Sequence, residues 1–114
     1  MKFVLLPLSL FCCFAFPCIC YGIHCKVGMY DTLGNAAIVI SECWMDQHFC
    51  SAIGCAIGTD QITVVWACEQ QNDPKVLVKR TSFKNYTCFA KIGQKGANMS
   101  NEEFAFPELA ELVK

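Results

Sequence analysis

Ten cysteines and two histidines are the residues of this 114-residue chain whose chemistry reaches beyond packing. A cysteine sulfur can close a disulfide, ligate zinc or act as a nucleophile, and the redox compartment decides first among these. His24 and His48 are the groups available for acid or base work at neutral pH, and no carboxylate lies at a metal-ligand spacing from either. His48 stands two residues before Cys50, so a zinc site could draw on it together with Cys43 and Cys55. No Gly-x-Ser-x-Gly turn is present, nor the glycine-rich calcium loop and His-Asp pair of a secreted phospholipase. The expectation is a non-enzymatic protein without metal or cofactor, whose cysteines are structural.

The compartment is read from the N-terminus. Met1 and Lys2 precede an uncharged run from Phe3 to Phe16, then Pro17 and a short stretch to Gly22, the layout of a secretory signal peptide over 1–22. Cleavage after Gly22, or after Cys20, leaves six cysteines: Cys25, Cys43, Cys50, Cys55, Cys68 and Cys88. Cleavage after Ala15 would leave eight, also an even number. Six thiols in an oxidising compartment predict three disulfides, each worth about 2 to 4 kcal/mol to a domain too small for a large core. Pro7 and Pro17 interrupt the leader and no basic stop-transfer cluster follows it. The C-terminal FAFPELAELVK lacks the apolar tail of a GPI signal. A secreted, extracellular protein with no stable membrane anchor is therefore expected. A composition 54% apolar and 17% charged, with mean hydropathy +0.36, excludes disorder. A net charge of -1 gives no footprint for nucleic acid.

The elements that must position these cysteines are short and β-rich. Strands are predicted at Ile23 to Tyr30, Ala36 to Cys43, Cys50 to Ile57, Ile62 to Glu69, Lys75 to Phe83 and Tyr86 to Ile92. Leu33-Gly34-Asn35, Gly58-Thr59-Asp60 and Lys84-Asn85 supply the reversals, and Gln70 to Pro74 is a polar linker. The expected fold is a small disulfide-rich all-β domain of three consecutive hairpins over 23–92. A C-terminal segment over 93–114 follows, with a short helix at Pro107 to Val113 that either docks on the sheet or stays mobile.

Cysteines at the roots of hairpins let long β loops project from a small crosslinked base. On Cys25-Lys26-Val27-Gly28, the six-residue gap from Cys43 to His48-Phe49-Cys50, and Ala67-Cys68-Glu69, the chain resembles the three-finger (Ly6/uPAR and snake-toxin) superfamily, and more closely the nematode ET module. The resemblance covers about Ile23 to Ile92. It implies bridges Cys25–Cys50 and Cys43–Cys68, with Cys55 and Cys88 left to join fingers two and three. The chain departs from the family after Cys88, where adjacent cysteines and a Cys-Asn pair are absent.

Two sequons, Asn85-Tyr86-Thr87 and Asn98-Met99-Ser100, fall in expected turns and are candidate glycosylation sites. Charge is segregated: Ile23 to Asp73 carries a net -5, Pro74 to Asn101 carries six bases and no acid, and the tail carries a net -3. Either the acidic tail folds back over the basic third finger, or these are solvated strand faces with lysines guarding an edge. Trp44, in a loop with Met45, and the basic residues Lys79, Arg80 and Lys84 are the candidate binding residues, whereas Trp66 in an alternating run reads as core. The function expected is display of hairpin loops to an extracellular protein or receptor. The alternative is a secreted protease inhibitor, with Lys79-Arg80 on its loop, or a defence peptide.

Overall fold

The computed structural model describes residues 22–81 and 85–113. Residues 1–21 of the expected leader with its four cysteines, residues 82–84 including the candidate Lys84, and Lys114 lie outside the described residues. The elements are β1 (His24–Asp31), β2 (Ala36–Glu42), β3 (Phe49–Ile57), β4 (Gln61–Glu69), α1 (Pro74–Thr81), β5 (Tyr86–Ile92) and a 3-10 helix at Pro107–Glu111. All strands join one antiparallel sheet in the order β2-β1-β4-β3-β5.

Two of the three expected hairpins are present, β1–β2 and β3–β4. The third is corrected: Lys75 to Phe83 is not a strand, because its described part lies in α1. The run Val76-Leu77-Val78 favours a strand locally, but Asp73-Pro74 starts a helix. Asp73 Oδ1 accepts the N–H of Lys75 (3.0 Å), Pro74 brings a helical φ and no orphan donor, and the N–H of Leu77 donates to the Asp73 carbonyl (3.2 Å). Lys79 and Arg80 in the last turn favour the negative end of the helix dipole. Leu77 is buried beneath α1, which packs on β5.

The tip of β1–β2 is set by Asp31. Its carboxylate accepts the backbone N–H groups of Leu33 and Asn35 (both 3.0 Å) and the side-chain amide of Asn35 (2.9 Å), while Gly34 takes a φ of 103°. The Asn35 amide, then its backbone N–H, holds the Asp31 carboxyl below its ordinary value, against an opposing effect of burial.

β3 lies between β4 and β5 and is buried from Phe49 to Ala56. Its central residues are small, and the C-terminal segment fills the space they leave. Phe106 and Leu109 pack with Ala52, Ala56, Val64 and Trp66, and Phe104, Ile62 and Val113 border the cluster. Gly54 makes this approach possible, since a Cβ there would lie 2.5 Å from Phe106 Cγ and 2.9 Å from Leu109 Cδ1. The segment after Ile92 therefore docks on the sheet. About five residues of 3-10 helix could not hold together unaided, and burial of Leu109 supplies what hydrogen bonding cannot.

Asn101 fastens this segment to the strands. It is fully buried; its Oδ1 accepts the N–H of Lys26 (3.0 Å), and its Nδ2 donates to the carbonyls of Lys26 (2.9 Å) and Ser51 (2.7 Å). Beside it the Lys26 ammonium donates to the Glu102 carbonyl (3.2 Å) and sits 4.0 Å from the centre of the Trp66 ring. Lys91 of β5 reaches the Ala105 carbonyl and lies 3.7 Å from Glu108. The tail thus folds back over the sheet and meets one base of the third segment.

Candidate binding surface

Four of the six cysteines, Cys25, Cys43, Cys50 and Cys68, meet at the root of the sheet. Disulfides join Cys25 to Cys50, Cys43 to Cys68 and Cys55 to Cys88, with Cα–Cα distances of 5.4, 5.8 and 4.1 Å. This is the pairing implied by the three-finger resemblance. The first two bridges stack, with Cys25 and Cys43 sulfurs 3.3 Å apart, and close the base of β1–β2 onto β3 and β4. Cys25, Cys43 and Cys68 sulfurs lie within 4.8 Å of one another, yet each is already committed to a bridge and has no thiolate to offer a metal. Cys55 and Cys88 face each other directly in the β3–β5 register and tie β3 to the edge strand β5.

From that base the β1–β2 hairpin projects with its outer strand uncovered. Ala36 to Ile40 are exposed without exception, Val39 at 61% and Ile40 at 66%, and Leu33 at the tip at 69%. Side chains alternate between faces along a strand, so both faces of β2 are apolar and open. On one face Ile38 stands opposite Gly28 and diagonal to Tyr30, while Ile40 stands opposite Lys26. On the other Val39 continues into Met29 and Val65, each more than a third exposed. The strand carries no charge from Ala36 to Ser41, and exposed apolar surface of this kind is a candidate for association.

The expected binding residues fall elsewhere. Trp44 is 79% exposed in the loop after Cys43, at the root of the sheet, where the sequence placed it as a surface residue. That loop is held by the Trp44 N–H donating to Gln47 Oε1 (3.1 Å) and the Gln47 N–H donating to the Trp44 carbonyl (2.9 Å). Trp44, Met45 and Gln47 border a shallow depression there. Lys79 and Arg80 lie on α1, and Arg80 is paired with Glu69 (2.7 Å), so these two bases are helical and not on a hairpin. Lys75, Lys79 and Phe89 flank an apolar groove between α1 and β5. His24 lies across from Glu42 in the β1–β2 register, and the exposed His48 precedes β3, where its carbonyl accepts the N–H of Gly96 (2.7 Å). Trp66 is buried in the core.

Of the sequon residues, Asn85 is exposed in a left-handed turn (φ 74°), and its carbonyl accepts the N–H of Gly58 (3.0 Å) at the tip of β3–β4. Asn98 is exposed as well, with Oδ1 accepting the N–H of His24 (2.8 Å). The exposed β2 surface was not among the residues singled out from the sequence. A continuous apolar run such as Ala36 to Ile40 reads as a strand covered on both faces, and the sign that could have suggested otherwise is the absence of any larger core to cover it in so short a chain. No helix among the described residues is long and apolar enough to cross a membrane. No family model, no curated protein and no solved structure matches this chain.

Proposed function

We propose that this chain is a secreted, non-enzymatic, disulfide-stapled module that binds an extracellular protein through its β1–β2 hairpin. The observation that carries the reading is the uncharged run Ala36 to Ile40, apolar and open on both faces, on a hairpin whose base is locked by two stacked bridges. A rigid base lowers the ordering cost of association, so a modest contact area can give useful affinity. Exposed branched residues such as Val39 and Ile40 would form the dry centre of the contact. Export rests on the leader at 1–22 and is compatible with three bridges in a small domain. Kinship with the three-finger superfamily is part of the proposal, supported by the root pairing and by two of its hairpins. The inhibitor alternative loses its candidate loop, because Lys79 and Arg80 are helical and a protease needs an extended segment to engage.

The test is capture of extracellular proteins by the secreted chain, wild type against Ile40→Asp, with Lys75→Ala on α1 as the control. Ile40→Asp should weaken a saturable interaction at least about tenfold while Lys75→Ala leaves it unchanged. Binding that survives Ile40→Asp but is abolished by Trp44→Ala would transfer the site to the root loop and overturn the hairpin reading.

A further inference from the structure

β2 is an edge of the sheet, and the ladder shows which of its backbone groups face outward. The N–H of Cys43 donates to the Ile23 carbonyl (2.7 Å), and the N–H of Asp31 donates to the Asn35 carbonyl (2.9 Å). Hydrogen-bonded pairs recur at every second position of an antiparallel ladder, so Ala37, Val39 and Ser41 turn their backbone groups toward β1. Ala36, Ile38, Ile40 and Glu42 turn theirs outward, and no described strand pairs with that side. Edges are usually guarded by lysine, proline or a bulge, and β2 has none of these.

We propose that this edge pairs with the β2 edge of a second copy, antiparallel about a two-fold axis through Val39, making one continuous ten-stranded sheet. The inference rests on the display reading in taking the same hairpin as the contact, and it names the occupant of its open edge. In this register Ile38 of one copy lies opposite Ile40 of the other, Ala37 opposite Ser41, and Val39 opposite its own counterpart. Glu42 falls opposite Ala36, so the acids of the two copies do not meet. Each outward N–H finds an outward carbonyl, because the strand is complementary to itself under the two-fold operation. An unrelated protein would need an uncharged strand of matching length; a second copy supplies one by symmetry. One strand edge covers less than the roughly 800 Å² per partner of a stable interface, so the dimer is reversible, with a Kd on the order of 10 μM.

Sedimentation velocity on the secreted, oxidised chain from about 1 to about 300 μM tests this directly. Wild type should pass from monomer to dimer across the range. Val39→Lys and Val39→Glu should each remain monomeric, since like charges would face each other across the axis, and an equimolar mixture of the two should dimerise. Val39 is exposed, so both variants keep the fold, and an unchanged disulfide count by mass confirms it. A wild type that stays monomeric throughout, or a dimer indifferent to both charges, overturns the proposal. A monomeric wild type whose capture of another protein is still abolished by Ile40→Asp overturns the dimer alone and leaves the display reading standing. A charge-responsive dimer whose capture of other proteins ignores Ile40→Asp supports the dimer and overturns the display reading.

Discussion

Asn101 is the residue on which the placement of the tail most depends, and its replacement gives the sharpest prediction. Fully buried, it makes three hydrogen bonds to backbone groups 75 and 50 residues away in the chain. Each such bond contributes about 1 kcal/mol net, and an orphaned buried partner such as the Ser51 carbonyl adds about 1 to 3 kcal/mol, so Asn101→Ala should cost about 4 to 6 kcal/mol. That is a large part of the stability of a small domain. Asn101→Asp keeps the shape and the acceptor but removes both donors, leaving a carboxylate facing two carbonyls. Its folded-state pKa must therefore rise above the unfolded value. For a carboxyl shifted upward, the penalty is smallest below the unfolded pKa of about 4 and grows as pH rises through the folded value. Urea denaturation of the oxidised wild type, Asn101→Ala and Asn101→Asp at acid and neutral pH measures this. Hydrogen exchange should show early opening of Phe104 to Val113. A cost below about 1 kcal/mol for Asn101→Ala would refute the account, as would an Asn101→Asp deficit that does not change with pH.

Gly54→Ala should destabilise by about 1 to 3 kcal/mol despite the better backbone entropy of alanine, because its Cβ meets the Phe106 ring at 2.5 Å. Combining it with Phe106→Leu should recover part of that loss in a double-mutant cycle read by denaturant midpoints. Removal of the Cys55–Cys88 bridge by paired alanines, with a sequence separation of 33, should cost about 4 kcal/mol on loop entropy and be visible as a lowered thermal midpoint. Asp31, whose pKa is depressed by Asn35, contributes stability present above about pH 4 and lost as pH falls through its folded pKa. Asp31→Ala should abolish that acid-side component, and exchange at Leu33 and Asn35 should report it. Intact mass of the protein secreted by a eukaryotic host should gain six hydrogens on reduction, and a retained leader would contradict the export reading.

Five strands were legible to within a residue or so at their ends, because Gly34, Gly58 and Asn85 punctuate runs of β-formers and the cysteines fix where the hairpins close. The segment from Lys75 was not: Val76-Leu77-Val78 has strand character, and the Asp73-Pro74 start outweighed it only because α1 could bury Leu77 against β5. Composition and cysteine count were enough to anticipate a small β domain with three bridges, since those depend on counts and on the expected compartment. Only the tertiary structure decided that the chain after Cys88 completes the core, because Gly54 and Asn101 act across 50 residues or more and leave no local pattern. It likewise decided that Ala36 to Ile40 lie open, because burial is set by which strand ends at the edge of the sheet, and an apolar run reads the same on either side of that boundary.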